Sequence, residues 1–304
     1  VNNPTPAIVA QSAVRRFPRW VLWLFCVTYV LAGFLGRDAW KSADMVSLGF
    51  MTELTQETSH WLKPTLMGVA PESPSLLPLW LGAWTMQLAP ATVAADFVVR
   101  IPFAMLLALA LIATWYGTYY LARSPLAQPV AFAFGGEALP SDYARAIADG
   151  SVLAFIACLG LAQLSHETTP ALAQLGFTSL LFFALGALPY ARRIARTAAV
   201  MGLLGLTLSG APFLAAMFGL GGVTIHLLDR SHREETTQGP QQVALDGWIV
   251  AIAMAASIAT ASHLDLWSWK IDLPTASWAD VNGIAQLLLW FTWPAWPLAS
   301  ARGG

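Results

Sequence analysis

The densest group of ionisable residues follows the first apolar run of the chain. Asp38, Lys41 and Asp44 lie within seven residues, and Glu72 precedes the apolar run 76–95. Asp44 falls at the start of a stretch with helical spacing, where a partly desolvated carboxylate can take a proton from an attacking hydroxyl. Glu72 is expected to face the same layer. A solvated loop with surface charges has the same spacing, so the pattern alone leaves both interpretations open.

A second candidate lies in the segment 165–170, which joins two apolar runs. His166 and Glu167 are adjacent there. Imidazole beside a carboxylate suits a divalent ion, so we predict His166 as a candidate metal ligand. The alternative is a turn in which Thr169-Pro170 begins the next helix.

A third segment, 263–272, carries Trp267 and Trp269 and has one basic residue, Lys270. It is typical of an outer interfacial loop. Aromatic packing at the membrane surface and binding of a sugar or lipid headgroup are the two alternatives.

The composition indicates a membrane environment for these candidates. Of 304 residues, 57% are apolar and only 11% are charged, against roughly 25% charged in an ordinary soluble domain. Mean hydropathy is +0.59. The net charge of −1 shows no excess of basic residues of the kind that binds the phosphates of nucleic acid. Cys26 and Cys158 lie in apolar runs and are predicted to be buried thiols rather than a disulfide. The chain is therefore predicted to be an all-α, polytopic membrane protein.

The first elements place the charged segment outside the cytoplasm. Residues 1–19 form a cytoplasmic N-terminus, because three arginines precede the first transmembrane helix at 20–36. Residues 37–75 carry few basic residues and are predicted to form a periplasmic loop with the candidate active site. Its amphipathic helix is expected to lie along the membrane surface, with Met45, Leu48 and Met51 on one side and Asp44 near the other.

The remainder, 76–304, is predicted to be a transmembrane helical region, truncated at its C-terminus. The apolar runs predict about seven or eight spans. The run 197–228 is interrupted at Ser209-Gly210-Ala211-Pro212, which predicts a kinked helix or a helical hairpin. If 76–95 dips in and returns and 197–228 is a hairpin, eleven of the sixteen Lys and Arg residues face the cytoplasm. The alternative, in which 76–95 crosses, stays open here.

The first third of the chain resembles a known family. The residues that carry the resemblance are Gly36, Asp38, Trp40 and Asp44 after the first span, then Trp61-Leu62-Lys63-Pro64, then Glu72-Ser73-Pro74 before an apolar run. Over about residues 18–122 this pattern is similar to the N-terminal portion of GT-C membrane glycosyltransferases, in the group of protein mannosyltransferases and aminoarabinose (lipid A) transferases, glycosyltransferase family 39.

The resemblance implies a multi-pass enzyme of the bacterial inner membrane. Its donor would be a polyprenyl-phosphate sugar and its acceptor a lipid or protein. Asp44 matches the catalytic Asp of the family's first periplasmic loop, and Glu72 matches an acidic motif residue that supports catalysis or holds a divalent metal. Asp38 and Trp40 complete the candidate substrate-binding set. From charge alone, Lys41 and Lys63 are expected to meet the donor phosphate.

Two departures from the family pattern keep other functions open. Met45 stands where the family has Glu, and no Lys precedes Gly210. A non-catalytic structural subunit of a larger membrane complex, or a degenerate inactive relative, are the alternatives.

Overall fold

A computed structural model describes residues 9–14, 17–36, 41–56, 58–90, 92–129, 136–229, 240–267 and 278–291. Within these ranges every regular element is helical, and extended residues pair only in isolated bridges. This confirms the all-α class. The helices are α1 (Arg19–Phe34), α2 (Ser42–Thr55), α3 (Leu77–Leu88), α4 (Ala95–Val98), α5 (Arg100–Ala122), α6 (Pro140–Ala157), α7 (Leu159–Leu164), α8 (Pro170–Ala187), α9 (Arg192–Leu208), α10 (Pro212–Asp229), α11 (Pro240–His263) and α12 (Trp278–Phe291).

Among the residues that the structure describes, three helical stretches are long and apolar enough to cross a membrane. They are Ala95–Ala122, Pro170–Ala187 and Leu245–His263. Shorter apolar stretches occur in α1, α10 and α12. Because a straight crossing takes about 20 residues, helix length supports a membrane protein, while the total of seven or eight spans stays a prediction.

Helices α5 and α8 run parallel and pack through small residues. A Cβ added at Gly176 would lie 3.3 Å from the Leu106 carbonyl oxygen, and one added at Gly186 would lie 2.9 Å from the Gly117 carbonyl oxygen. Residue numbers rise together along the pair, so both helices begin at the same end of the molecule. Glycines of this kind let two helix backbones approach closely.

Helix α9 runs back alongside α8. The apolar run 197–228 forms two helices, α9 and α10, rather than one. Gly202 packs on Leu181 and Gly205 on Phe177, so α9 is antiparallel to α8. The chain then turns at Ser209–Ala211, where Gly210 has a φ of +83°, and Pro212 opens α10. A left-handed backbone suits glycine, and proline suits the first helical position. Since α9 and α10 contact each other, the break predicted at this site is confirmed as a helical hairpin.

The segment 76–95 does not carry the chain to the other end. The Leu76 N–H donates to the Leu208 carbonyl oxygen at 2.8 Å, so α3 begins where α9 ends. Helix α3 has only 12 residues, and α5 then begins at the same end, because it is parallel to α8. We call this the α2 end, since α2 packs on α3 there. The starts of α3 and α5 therefore lie at the same end of the molecule, which is the geometry that the dip-and-return alternative requires; the course of 76–95 relative to a membrane stays a prediction.

Helix α2 forms as predicted but buries a different face. Asp44, Ser47, Phe50, Met51 and Leu54 are buried, whereas Met45 is 54% exposed. The sequence predicted Met45 and Met51 on one side with Asp44 near the other, whereas the structure buries Met51 together with Asp44 and leaves Met45 exposed. The reason is tertiary: Met51 fills the space left by Gly82 of α3, and a distant segment brings hydrogen-bond donors to Asp44.

Candidate functional site

The candidate site lies at the α2 end, where three segments meet: the second half of α1, the first turn of α2, and residues 165–169. Thr169 is extended and Pro170 opens α8, which confirms the predicted Thr-Pro helix start. The side chains of this connection face inward. All five of its residues are buried: Ser165, His166, Glu167, Thr168 and Thr169.

Asp44 is buried in the first turn of α2, with 3% of its surface exposed. Its Oδ1 accepts two hydrogen bonds from Thr168, one from the backbone N–H at 2.7 Å and one from the hydroxyl at 3.0 Å. A carboxylate in the first helical turn also interacts favourably with the helix dipole. Hydrogen bonds to a charged acceptor are stronger than neutral ones, so the Asp44 carboxylate has a fixed orientation.

Lys41, immediately before α2, forms an ion pair with Glu167. Its Nζ lies 2.5 Å from Glu167 Oε1, and the two side chains are 20% and 6% exposed. Because Glu167 and Thr168 are neighbours, the ion pair and the Asp44 hydrogen bonds attach the start of α2 to one short segment. Removing one partner of a mostly buried pair leaves the other charge uncompensated, at a cost of about 3–5 kcal/mol.

His166 attaches the same segment to α1. Its Nδ1 lies 2.7 Å from the Ala162 carbonyl oxygen and its Nε2 lies 2.7 Å from the Tyr29 carbonyl oxygen. The ring lies over Gly33, where a Cβ would overlap it. A carbonyl oxygen is an acceptor only, so each ring nitrogen in this position is directed at a backbone oxygen rather than at a site where an ion would bind.

The predicted metal centre has no further support from the geometry. No group of three or more His, Cys, Asp or Glu side chains capable of holding an ion occurs among the residues that the structure describes. Glu72, the second predicted ligand, is exposed on the segment before α3. A role for Glu72 and His166 in metal binding stays a prediction.

The segment that carries Glu72 packs against the turn between α9 and α10. A Cβ at Gly210 would lie 3.0 Å from the Ser73 Oγ and 3.2 Å from the Pro74 carbonyl oxygen. On the other side of this turn, Gln174 Nε2 donates to the Ser209 carbonyl oxygen at 2.8 Å. The structure thus brings together two segments that the sequence comparison with the GT-C pattern had singled out separately.

The other predicted binding residues have different positions. Lys63 is exposed on a turn in which its N–H donates to the His60 carbonyl oxygen. Asp38 and Trp40 lie outside the described residues. The predicted site is therefore divided: Asp44 and Lys41 are inside the protein, and Glu72 and Lys63 are on its surface.

The tryptophan segment after α11 also lies at the α2 end. Leu266 packs with Leu76 and Ala261, and the Trp267 ring meets the Phe213 ring edge-on with centroids 5.0 Å apart. These contacts are those of aromatic packing between helix ends. Trp269 and Lys270 lie outside the described residues.

Both cysteines are free thiols; Cys158 is buried as predicted, whereas Cys26 is partly exposed. Sequence reasoning missed the residues that complete the site and its counterpart at the opposite end. Thr168, the donor to Asp44, had no signal beyond its place beside His166. Asp246 of α11 is 2% exposed and accepts from Arg192 Nε at 3.1 Å and Arg196 Nε at 2.6 Å. The sequence signal for this ion-pair cluster was available. Asp246 is a single carboxylate at the edge of an apolar run, and the chain also contains the arginine cluster at 192–196.

Comparisons of the chain with protein-family models, with curated proteins and with solved structures found no match. The function is therefore argued from the geometry of the α2 end and from the residues there.

Proposed function

We propose that the protein is a membrane glycosyltransferase of the GT-C type, with its active site at the α2 end. It would transfer a sugar from a polyprenyl-phosphate donor to a lipid or protein acceptor on the periplasmic side of a bacterial inner membrane. The observation that carries the proposal is the buried, oriented carboxylate of Asp44. It lies at one end of a bundle whose helices suit a membrane.

The proposed topology has eight crossings. Helices α1, α5, α6 with α7, α8, α9, α10, α11 and α12 would alternate in direction, with α2–α4 outside. This arrangement places the arginines of the 188–196 region and Arg19 on the cytoplasmic side, in agreement with the excess of basic residues that cytoplasmic loops carry. The N-terminus is then cytoplasmic and the α2 end periplasmic.

In the proposed reaction an acceptor hydroxyl attacks the anomeric carbon of the donor sugar. The new glycosidic C–O bond forms as the bond from the sugar to the phosphate breaks, and polyprenyl phosphate leaves. The hydroxyl proton passes to the Asp44 carboxylate, which is the role of a general base. Attack opposite the leaving phosphate inverts the anomeric configuration.

Positive charge near the leaving phosphate would stabilise its departure. Lys41 is held beside Asp44 through Glu167 and Thr168, and Lys63 is exposed on the same outer segment. Asp38 and Trp40 are proposed to contact the donor, and Glu72 to act as a supporting acid or as a ligand of a divalent metal ion.

One observation favours a second candidate, a non-catalytic subunit of a membrane complex or an inactive GT-C relative. The charges of Asp44 and Lys41 are both engaged by the segment 165–169. Hydrogen bonds and ion pairs of this kind also occur where they only stabilise the packing of helices.

Transfer from a panel of radiolabelled polyprenyl-phosphate sugars to extracted membrane lipid, and to membrane protein, separates the two candidates. The full-length protein should transfer label from at least one donor, and Asp44→Asn should not. Absence of transfer by folded wild-type protein with every donor and both acceptor classes would favour the structural subunit.

A further inference from the structure

Residues 66–69 form a tight turn with an unusual backbone. Leu66 and Val69 exchange two backbone hydrogen bonds, at 2.8 and 2.9 Å. Between them Met67 has a φ of +52° and Gly68 a φ of +82°. Two successive positive φ angles define a type I′ turn, in which the first position normally holds Asn, Asp or Gly. A long apolar side chain in that position is uncommon.

Helix α2 holds this turn in place. The Met67 N–H donates to Glu53 Oε1 at 2.7 Å, and Leu66 packs over Gly49, where a Cβ would lie 3.0 Å from the leucine methyl group. Gly49 and Glu53 are one helical turn apart and so lie on the same face of α2. The turn is therefore a fixed projection from the helix that carries Asp44.

The projection presents apolar side chains outward. Met67 is 89% exposed and Val69 is 68% exposed, and Leu62 is also exposed nearby. The apolar surface continues to α3 through Trp61, which stacks on the partly exposed Trp84 with ring centroids 6.4 Å apart.

The chemistry around the turn indicates what covers it. Lys63 is the one charged side chain within His60–Pro71 and is exposed, while the Glu53 carboxylate accepts from the turn backbone and Glu72 follows the segment. Trp80 Nε1 donates to the carbonyl oxygen of Trp61 in this segment at 2.8 Å, so a second tryptophan is fixed beside it. Tryptophan is enriched at the level of the lipid headgroups, and exposed apolar side chains beside it suit the boundary between headgroups and acyl chains.

We propose that the segment His60–Pro71 is a membrane anchor, which inserts Met67 and Val69 into the outer-facing leaflet of the bilayer in which the helices sit. Lys63 meets the headgroup phosphates of anionic lipids. Interfacial segments of this type reach about 5–10 Å into the boundary between headgroups and acyl chains. The anchor fixes the height of α2, and with it Asp44, relative to the membrane surface. Membrane insertion of this segment does not depend on whether the protein transfers a sugar.

The test uses the full chain with Cys26→Ser and Cys158→Ser, reconstituted in nanodiscs of phosphatidylcholine and phosphatidylglycerol. Met67→Cys carries an environment-sensitive fluorophore, and Gln56→Cys is the matched control, since Gln56 is a polar, exposed residue at the end of α2. Quenching is measured with lipids that carry a spin label near the headgroup and with aqueous iodide. Thermal melting of both labelled proteins checks that they share the same fold.

The label at position 67 should have blue-shifted emission, strong quenching by spin-labelled lipid and weak quenching by iodide, while the label at position 56 should show the reverse. Lys63→Gln should reduce the lipid quenching at position 67 in anionic nanodiscs and leave it unchanged in purely zwitterionic ones. Equal iodide quenching at both positions would overturn the proposal. Protection from iodide without lipid quenching would also overturn it, because a second protein surface would then cover the turn.

Discussion

At the scale of single residues, the central feature is the pair of hydrogen bonds from Thr168 to Asp44. The two residues are 124 positions apart in the sequence, and their contact joins the first turn of α2 to the start of α8. A carboxylate with a fixed orientation can act as a general base toward a substrate hydroxyl. It can also serve only to hold two helices together. The two roles respond differently to a change at Thr168.

Thr168→Val removes the hydroxyl donor and keeps the shape of the side chain and the backbone N–H. We expect it to lower the free energy of unfolding by about 1.5–3 kcal/mol, the usual contribution of a hydrogen bond to a charged group. Thr168→Ser keeps the hydroxyl and is the control. Thermal melting in matched lipid measures both. Equal melting temperatures for the Val and Ser variants would contradict the contact.

At the scale of elements, the packing of α1 on the segment 165–169 depends on a residue without a side chain. Gly33 leaves the space that the His166 ring occupies, and Tyr29 and Phe34 contact the same ring, with centroids 4.9 and 5.4 Å away. The segment that holds Asp44 and Lys41 is thus positioned by α1 as well as by α2.

Gly33→Ala should displace the His166 ring from the Tyr29 carbonyl oxygen and destabilise the protein by about 1–3 kcal/mol, the usual cost of overpacking. Gly150→Ala in α6 is the matched control, because a Cβ there meets no atom within 4 Å. It should be neutral or stabilising by up to about 1 kcal/mol, since alanine favours a helix. A Gly33→Ala protein that melts with the wild type would show that the two segments do not pack as described.

The elements themselves were largely predictable from the sequence, whereas the site's contacts were not. Apolar runs and the Gly210–Pro212 interruption indicated the helices and the hairpin, because helix breaks are local properties of the chain. The burial of Asp44 on the packed side of α2 was not anticipated, since local hydropathy does not indicate a donor from Thr168 or an ion pair between Lys41 and Glu167. These contacts span more than a hundred residues, and nothing in the local pattern of residues 41–55 specifies them.

At the scale of the whole molecule, the two ends of the bundle differ in charge and in content. The α2 end holds Asp44, the 165–169 segment and the stacked Trp61 and Trp84, and the opposite end holds the arginine pair that binds Asp246. Basic residues remain on the cytoplasmic side of a membrane, so this asymmetry predicts the orientation of the protein.

Single cysteines at the two ends test the orientation, in the same background without Cys26 and Cys158. Gln56→Cys should react with a membrane-impermeant maleimide added to intact spheroplasts. Leu126→Cys, in the 95% exposed position after α5, should react only after the membrane is opened. The reverse pattern, or reaction of both from the outside, would contradict the proposed topology.

The most direct test of the central claim compares the initial rate of sugar transfer in Asp44→Asn and Asp149→Asn proteins. Asp149 is also a buried aspartate, which accepts from Trp115 Nε1 at 2.8 Å on a different helix pair. Its Asn variant therefore controls for the loss of a buried charge. We expect Asp44→Asn to lower the rate about 10²–10⁴-fold, the usual contribution of a general base, and Asp149→Asn to retain near wild-type transfer at equal melting temperature. Equal rates in the two variants would show that Asp44 is not the base.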